Sequence, residues 1–372
     1  MNKKIKILII QSYAYQRGGI TTFLRYLVKY IDKSKFEPII LFLSQGELVS
    51  EFQSIKIPVR IIYSGKLSNV AFTIITIIRI MWLIHKERVE IVFSNECREH
   101  IYGGIASYLM GIPSTMFWHG FFSLHYLAKI TLLIPGTILV NNYETKIRIE
   151  SRGRKCKLVP LGTEVSEHRI VNENLMREIG IEDEVPVITQ VTLLVPYKGH
   201  RYFIEAMPTI LKHFPETKFL IVGETPFWSS NSYEQELRRH VKELKIEESV
   251  IFMGYRKDAL EIIYLSDIIV HPITVPELFE FVVLEAMAAS KPVIVGKTGV
   301  PKRFIEHRID GILVPPNNSE VIAEAVIWLL KNPDIRKVIG QNARKKVEKY
   351  FNAKRMIREI EEIWENLFIS KK

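Results

Sequence analysis

Pro276 to Ile294 reads PELFEFVVLEAMAASKPVI, and it sets two carboxylates, Glu277 and Glu285, eight residues apart around the start of a short apolar helix. Upstream, Asp267 to Pro272 (DIIVHP) has the composition of a buried strand, and from Phe281 the run FVVLEAMAA has no Pro or Gly and reads as helix. Glu277 then falls in the strand-to-helix loop and Glu285 about one turn inside the helix. The first backbone amides of such a helix have no partner within it, so they form an anion site suited to phosphate. A polyhydroxyl ligand carrying phosphates fits all three features, with one carboxylate on each set of hydroxyls and the amides on the phosphates. In isolation the two residues read first as a surface carboxylate and a helix salt-bridge partner.

The same alternation of strand and helix extends along the chain. Strands are expected at Ile5 to Ile10, Pro38 to Leu43, Val59 to Tyr63, Val89 to Phe93, Thr115 to Trp118, Thr137 to Val140, Pro186 to Val191 and Phe219 to Gly223, with helical stretches between most of them. Such alternation implies a parallel sheet covered on both faces, with ligands at the carboxyl ends of the strands. At 372 residues the chain suits two such domains, with a polar linker from Thr163 to about Asn174. Gly18 and Gly19, between the first strand and its helix, let backbone approach a ligand closely. His119, in MFWHG, stands just past a strand end, where an α/β domain presents its functional groups, and His125 reads as surface. Val70 to Ile84 (VAFTIITIIRIMWLI) is too short for a confident membrane span. A fully buried helix is its first reading and a helix on the membrane interface its second. Phe121 to Ile134 is a second apolar, aromatic stretch, and the tail from Ala353 to Phe368 is amphipathic.

Hydrophobic residues make up 47% and charged residues 25%, a globular balance with no repeat. The opening MNKKIKILII runs straight into a strand with no small-residue cleavage site, so no signal peptide is expected. Cys97 and Cys156 are too few for a disulfide framework and have no metal-ligand companions, which suits a reducing cytoplasm. The net charge of +10 is one-sided: residues 1–165 hold 22 Lys+Arg against 11 Asp+Glu, and the remainder holds 29 against 30. A basic first half suits an anionic surface or ligand, although a generally lysine-rich proteome would give the same excess. No nucleic-acid module is recognisable, and the aromatics do not interleave with the basic residues.

The Glu277 to Glu285 spacing and the EAMA tail resemble the donor motif of glycosyltransferase family 4, the retaining GT-B family. The resemblance covers nearly the whole chain: the strand-helix-strand and Pro160-Leu161-Gly162 turn, VTLLVPYKGH at 191–200, FLIVG at 219–223, FMGY at 252–255 and GILVPP at 311–316 all match. It implies an α/β GT-B fold of two Rossmann-like domains facing a central cleft. Their expected bounds are 1–165 for the acceptor, 166–350 for the donor, and 351–372 for a helix crossing back to the first domain.

By the same resemblance the donor is a nucleotide sugar, a UDP-sugar in preference to a GDP-sugar, and the acceptor a glycan or lipid-linked glycan in cell-surface polysaccharide synthesis. Lys198 and the amides of Phe281 and Val282 would hold the diphosphate, with those of Gly18 and Gly19 completing the cradle. Glu285 would hold the ribose, and Glu277 with His119 the transferred sugar. Main-chain groups near Gly254, Tyr255 and Arg256 would read the base. No metal or other cofactor is expected, nor any nucleic acid, and the location is cytoplasmic with room for a peripheral place on the anionic inner face of the membrane. Four positions depart from the family. Thr192 and Leu193 replace its Gly-Arg, leaving Arg201, Lys302 or Arg303 to supply the second cation; Glu280 stands for its glycine; and Lys302 replaces an acid. These departures support a rival, a degenerate member that binds a sugar nucleotide or partner without turnover; a GT-B epimerase is a further alternative.

Overall fold

The computed structural model describes residues 4–15, 18–119, 126–166, 173–182, 184–226, 232–276 and 280–371. Two compact units divide it, Met1–Leu161 with Ala353–Lys372, and Gly162–Asn352. Unit 1 runs β1 (Ile5–Gln11), α1 (Gly19–Tyr30), β2 (Phe36–Phe42), α2 (Glu47–Ser54), β3 (Val59–Ile61), α3 (Val70–Glu87) and β4 (Ile91–Ser94). It continues with α4 (Cys97–Leu109), β5 (Ser114–Trp118), α5 (Tyr126–Leu133), β6 (Thr137–Val140), α6 (Tyr143–Glu150) and β7 (Cys156–Leu158). Unit 2 runs α7 (Glu173–Ile179), β8 (Val187–Val191), α8 (His200–Leu211), β9 (Lys218–Val222), α9 (Ser232–Glu243), β10 (Val250–Gly254), α10 (Ala259–Leu265) and β11 (Ile268–His271). It ends with α11 (Phe281–Ala288), β12 (Val293–Gly296), α12 (Pro301–Phe304), β13 (Ile312–Val314), α13 (Ser319–Lys331) and α14 (Pro333–Tyr350), and α15 (Ala353–Lys371) then belongs to unit 1.

The unit 1 sheet has the order β3-β2-β1-β4-β5-β6-β7 and the unit 2 sheet the order β10-β9-β8-β11-β12-β13, all pairs parallel. Helices cover both faces, which is why strands such as IKILIIQ are almost continuously apolar rather than alternating. In each sheet the strand order reverses once, at β1/β4 and at β8/β11, and a parallel sheet opens its ligand crevice at the carboxyl end of that reversal.

Two elements teach more than their boundaries. α15 packs on unit 1 through Met356, Ile357, Ile360 and Trp364; the Trp364 indole donates to Thr115 Oγ1 at 2.9 Å and meets Phe36 and Phe93 edge-on. α3 corrects the reading of Val70 to Ile84 as fully buried. Ile77, Ile80, Leu83 and Ile84 enter the core, but Val70, Ile74, Ile78 and Trp82 point to solvent. A helix apolar on every side carries no periodic signal for which side is covered. Among the described residues no helix is long and apolar enough to cross a membrane, and no group of three or more His, Cys, Asp or Glu is placed to hold a metal ion.

Candidate functional site

In unit 2 the loops after β8 and β11 leave neighbouring strands at the reversal of the sheet. The first runs into a single 3-10 turn, Pro196–Lys198, which Gly199 closes at φ 76°. A Cβ on Gly199 would lie 2.0 Å from the Pro272 carbonyl oxygen, so glycine is what lets the turn press on the backbone leaving β11. The Thr274 amide donates to the Tyr197 carbonyl at 2.9 Å and ties the two loops a second time. Lys198 is thereby held with 5% of its surface exposed.

The second loop enters α11 at Glu280. Its side chain makes no cap to the helix amides. It accepts instead from Lys198, Nζ to Oε1 at 2.7 Å, while its other oxygen lies 3.9 Å from Nε2 of His271 at the end of β11. Burial pushes the His271 imidazole down to about 4, against the pull of the Glu280 charge, so His271 is neutral at physiological pH and that contact is not an ion pair. His200, which opens α8, is fully buried and pushed down to about 3, by burial first and then by His271 and Lys198. Two neutral imidazoles and one carboxylate thus surround the lysine.

Phe281 and Val282 are the first two residues of α11 and carry the amides that a helix start offers an anion. The Val283 amide already closes on the Glu280 carbonyl at 3.2 Å. One turn on, Glu285 is raised to about 7 by burial alone. Its carboxyl therefore exchanges its proton near neutral pH. Gly254 ends β10 at φ 62° and its carbonyl accepts from the Gly223 amide at 2.8 Å; Tyr255 and Arg256 follow it on the same carboxyl edge, two strands from β8. The Arg256 side chain is spoken for, with Asp258 and Glu178 each at 2.6 Å. Of the three candidates for a second cation, Arg201 pairs with Glu205 at 2.9 Å on an exposed helix face, and Lys302 and Arg303 are exposed.

Unit 1 gathers its own polar cluster beyond β1, β4 and β5. The His119 ring lies against Phe117 and Phe23, and its Nε2 is 2.9 Å from Asn95 Oδ1. The Asn95 amide in turn donates to Gln11 Oε1 at 2.6 Å, so Asn95 Oδ1 is an acceptor and His119 carries its proton on Nε2. Burial pushes His119 down to about 3. It is a neutral hydrogen-bonding ring, not a cation. Close by, Glu99 is fully buried, accepts from the Ser12 amide at 2.6 Å, and is raised by burial. Gly18, at φ 89°, precedes α1, and nothing lies within 4 Å of a Cβ built on it. Gly19 is the first residue of α1.

The structure thus brings Lys198 and the start of α11 together in unit 2, and His119 into a network in unit 1. Glu277 lies outside the described residues, as does His125. Gln11, Asn95, Glu99, His200 and His271 were missed by sequence reasoning. A usable signal existed for two of them, since Asn95 and His271 stand at the ends of apolar strand runs (IVFSN and DIIVH), as His119 does.

Two parallel sheets, each with polar groups past the carboxyl ends at its reversal, define an α/β protein of the GT-B class. Residues 171–346 match the family model of glycosyl transferases group 1. The match lies in the second unit and spans just under half of the chain, so it is this unit that is similar to the glycosyl transferases group 1 family. The chain is 37% identical over 180 residues to an uncharacterized glycosyltransferase of Methanocaldococcus jannaschii, covering 48% of this chain and 44% of that one. Over a longer stretch it is 23% identical, across 80% of both chains, to the UDP-Gal:alpha-D-GlcNAc-diphosphoundecaprenol alpha-1,3-galactosyltransferase of Escherichia coli. Among solved structures, Anabaena HepE in complex with UDP-glucose superposes with a TM-score of 0.82 at 21% identity, over 97% of this chain and 100% of that one. A glycosyltransferase from Rickettsia africae does so with 0.84 at 22%, over 98% of each.

Proposed function

We propose that the protein is a retaining glycosyltransferase that moves a sugar from a nucleoside diphosphate sugar, with UDP as the base carrier, to a glycan or lipid-linked acceptor in cell-surface polysaccharide synthesis. The observation that carries the reading is Lys198, buried at the sheet reversal of unit 2 and held beside the helix start at Phe281. The donor class and the lipid-linked acceptor also accord with the name of the E. coli relative. An anionic membrane surface belongs to the same reading, because such an acceptor is presented there.

The difficult event is departure of the nucleoside diphosphate from an oxocarbenium-like sugar, so catalysis rests on positioning and on stabilising charge at the leaving phosphate. In this reading Lys198 and the amides of Phe281 and Val282 take the diphosphate. Glu285 takes the ribose, the main chain at Gly254 to Arg256 the base, and Glu277 the transferred sugar. His119, neutral and with its Nε2 proton given to Asn95, offers Nδ1 as an acceptor for a sugar hydroxyl. We assign the reaction no metal ion.

The Glu280–Lys198 pair favours a second reading, a non-catalytic member that binds a sugar nucleotide or partner. Binding and nucleotide release with a panel of UDP, GDP and ADP sugars, on wild type and Glu277→Ala, separate the two. Saturable binding of one donor with slow release that the substitution abolishes is expected. Binding without release, even with membrane extract supplied as acceptor, would sink the transferase reading in favour of the second.

A further inference from the structure

Donor chemistry makes no use of the outer side of α3. The helix lies on the unit 1 sheet by Ile77, Ile80, Leu83 and Ile84, all in the core. Its other side is apolar as well. Val70, Ile74, Ile78 and Trp82 recur every four residues, so they form one row along the helix, and each is between 51% and 67% exposed. Lys86 continues the row, its ammonium 4.6 Å from the centre of the Trp82 ring. Lys66, Arg79 and Arg88 flank it and are exposed; the acid of this segment, Glu87, is held by Arg60 at 2.7 Å. α4 packs on both α3 and α5, and Leu133 at the end of α5 is 82% exposed.

An apolar row of this size left in water marks a partner surface. Its chemistry selects the partner. Aliphatic side chains along a helix, a tryptophan toward one end and lysines and arginines at the margin are what a helix lying in a bilayer interface needs: the aliphatics enter the acyl boundary, the indole sits at headgroup depth, and the long cations reach back to phosphates. At 18 residues the helix would lie along about 27 Å of surface. A second copy of the same face fits worse, because it would set these cations against one another with no acid to meet them.

We propose that the α3 face of unit 1 rests on an anionic phospholipid bilayer. The proposal deepens the reading of a membrane-side acceptor and is tested without it, by sedimentation of the whole chain with vesicles. The protein should pellet with vesicles of phosphatidylglycerol and phosphatidylcholine and stay in solution with phosphatidylcholine alone. Ile74→Ser with Ile78→Ser, and separately Arg79→Glu with Lys86→Glu, should each weaken that binding at least tenfold with thermal unfolding unchanged, since none of the four side chains enters the core. Equal binding to neutral vesicles, or variants that bind like wild type, would overturn it. So would a dimer, seen by analytical ultracentrifugation, that the Ile variants abolish. Vesicle binding in a protein that binds no sugar nucleotide would leave this surface standing and remove the donor reading; donor binding without vesicle binding would do the reverse.

Discussion

Glu280 and Lys198 satisfy each other, and the pair explains how a carboxylate is tolerated at a helix start proposed to bind phosphate. A lysine this buried requires an anion near it, and removing that anion leaves the lysine desolvated without its carboxylate. A diphosphate on Nζ would meet the negative charge of this carboxylate there. Glu280→Gln is therefore expected to lower the stability of the free protein by about 2 kcal/mol, the usual cost reduced for a carboxylate that solvent partly reaches. The same change should tighten UDP binding by about tenfold, roughly 1.4 kcal/mol, because the ligand no longer competes with a fixed charge. Thermal unfolding with and without UDP reads the first effect and calorimetry the second; UDP affinity that stays level or falls would show that the carboxylate does not compete. The sequence displayed Glu280 as a departure at the helix start. That its partner would be Lys198, 82 positions earlier, depends on the β8–β11 pairing and on Gly199 pressing against Pro272, neither of which a linear pattern carries.

At the scale of elements, short apolar runs closed by Gly, Pro or Asn located the strands, and most ends fell within two residues of their places. Val59–Ile61 stops two residues short of Tyr63, at the sheet edge, where one neighbour supplies the ladder. The amphipathic tail was legible for the same reason, since Met356, Ile360, Ile363 and Trp364 repeat at helical spacing and all are buried. α3 was not, because it has no polar face to contrast with its buried one. The role of α15 is open to test. Trp364 fills the space between Phe36, Phe93 and Thr115, so Trp364→Ala should cost about 3–5 kcal/mol through the cavity and the lost indole bond. Urea unfolding checks this, and a loss below about 1 kcal/mol would mean that the helix is not part of the unit 1 core. Trp364→Phe keeps most of the volume and should lose only about 1–2 kcal/mol.

Across the whole molecule, buried ionisable groups set how stability varies with pH. Unit 1 buries His100, lowered to about 4, and His119, lowered to about 3; unit 2 buries His271 and His200, lowered to about 4 and about 3. Burial is the first cause for all four. The unfolded chain takes up protons on these imidazoles near pH 6.5 while the folded chain does not, so below that pH the unfolded state binds more protons and stability falls with acid. Carboxyls raised by burial, among them Glu361 in unit 1, oppose the trend. Glu285, raised to about 7, and Glu99, also raised, bind protons in the folded state that the unfolded chain releases, and so favour folding as pH drops toward 4.5. In unit 2 two imidazoles stand against the one carboxyl, a net of about one proton, or about 1.4 kcal/mol of stability lost for each pH unit between 6.5 and 4.5. Urea midpoints at pH 6.5, 5.5 and 4.5 should therefore fall in steps. His271→Asn, which cannot take up the proton, should flatten the slope of the unit 2 transition to near zero in this range, and a slope unchanged by that substitution would show that the acid sensitivity arises elsewhere.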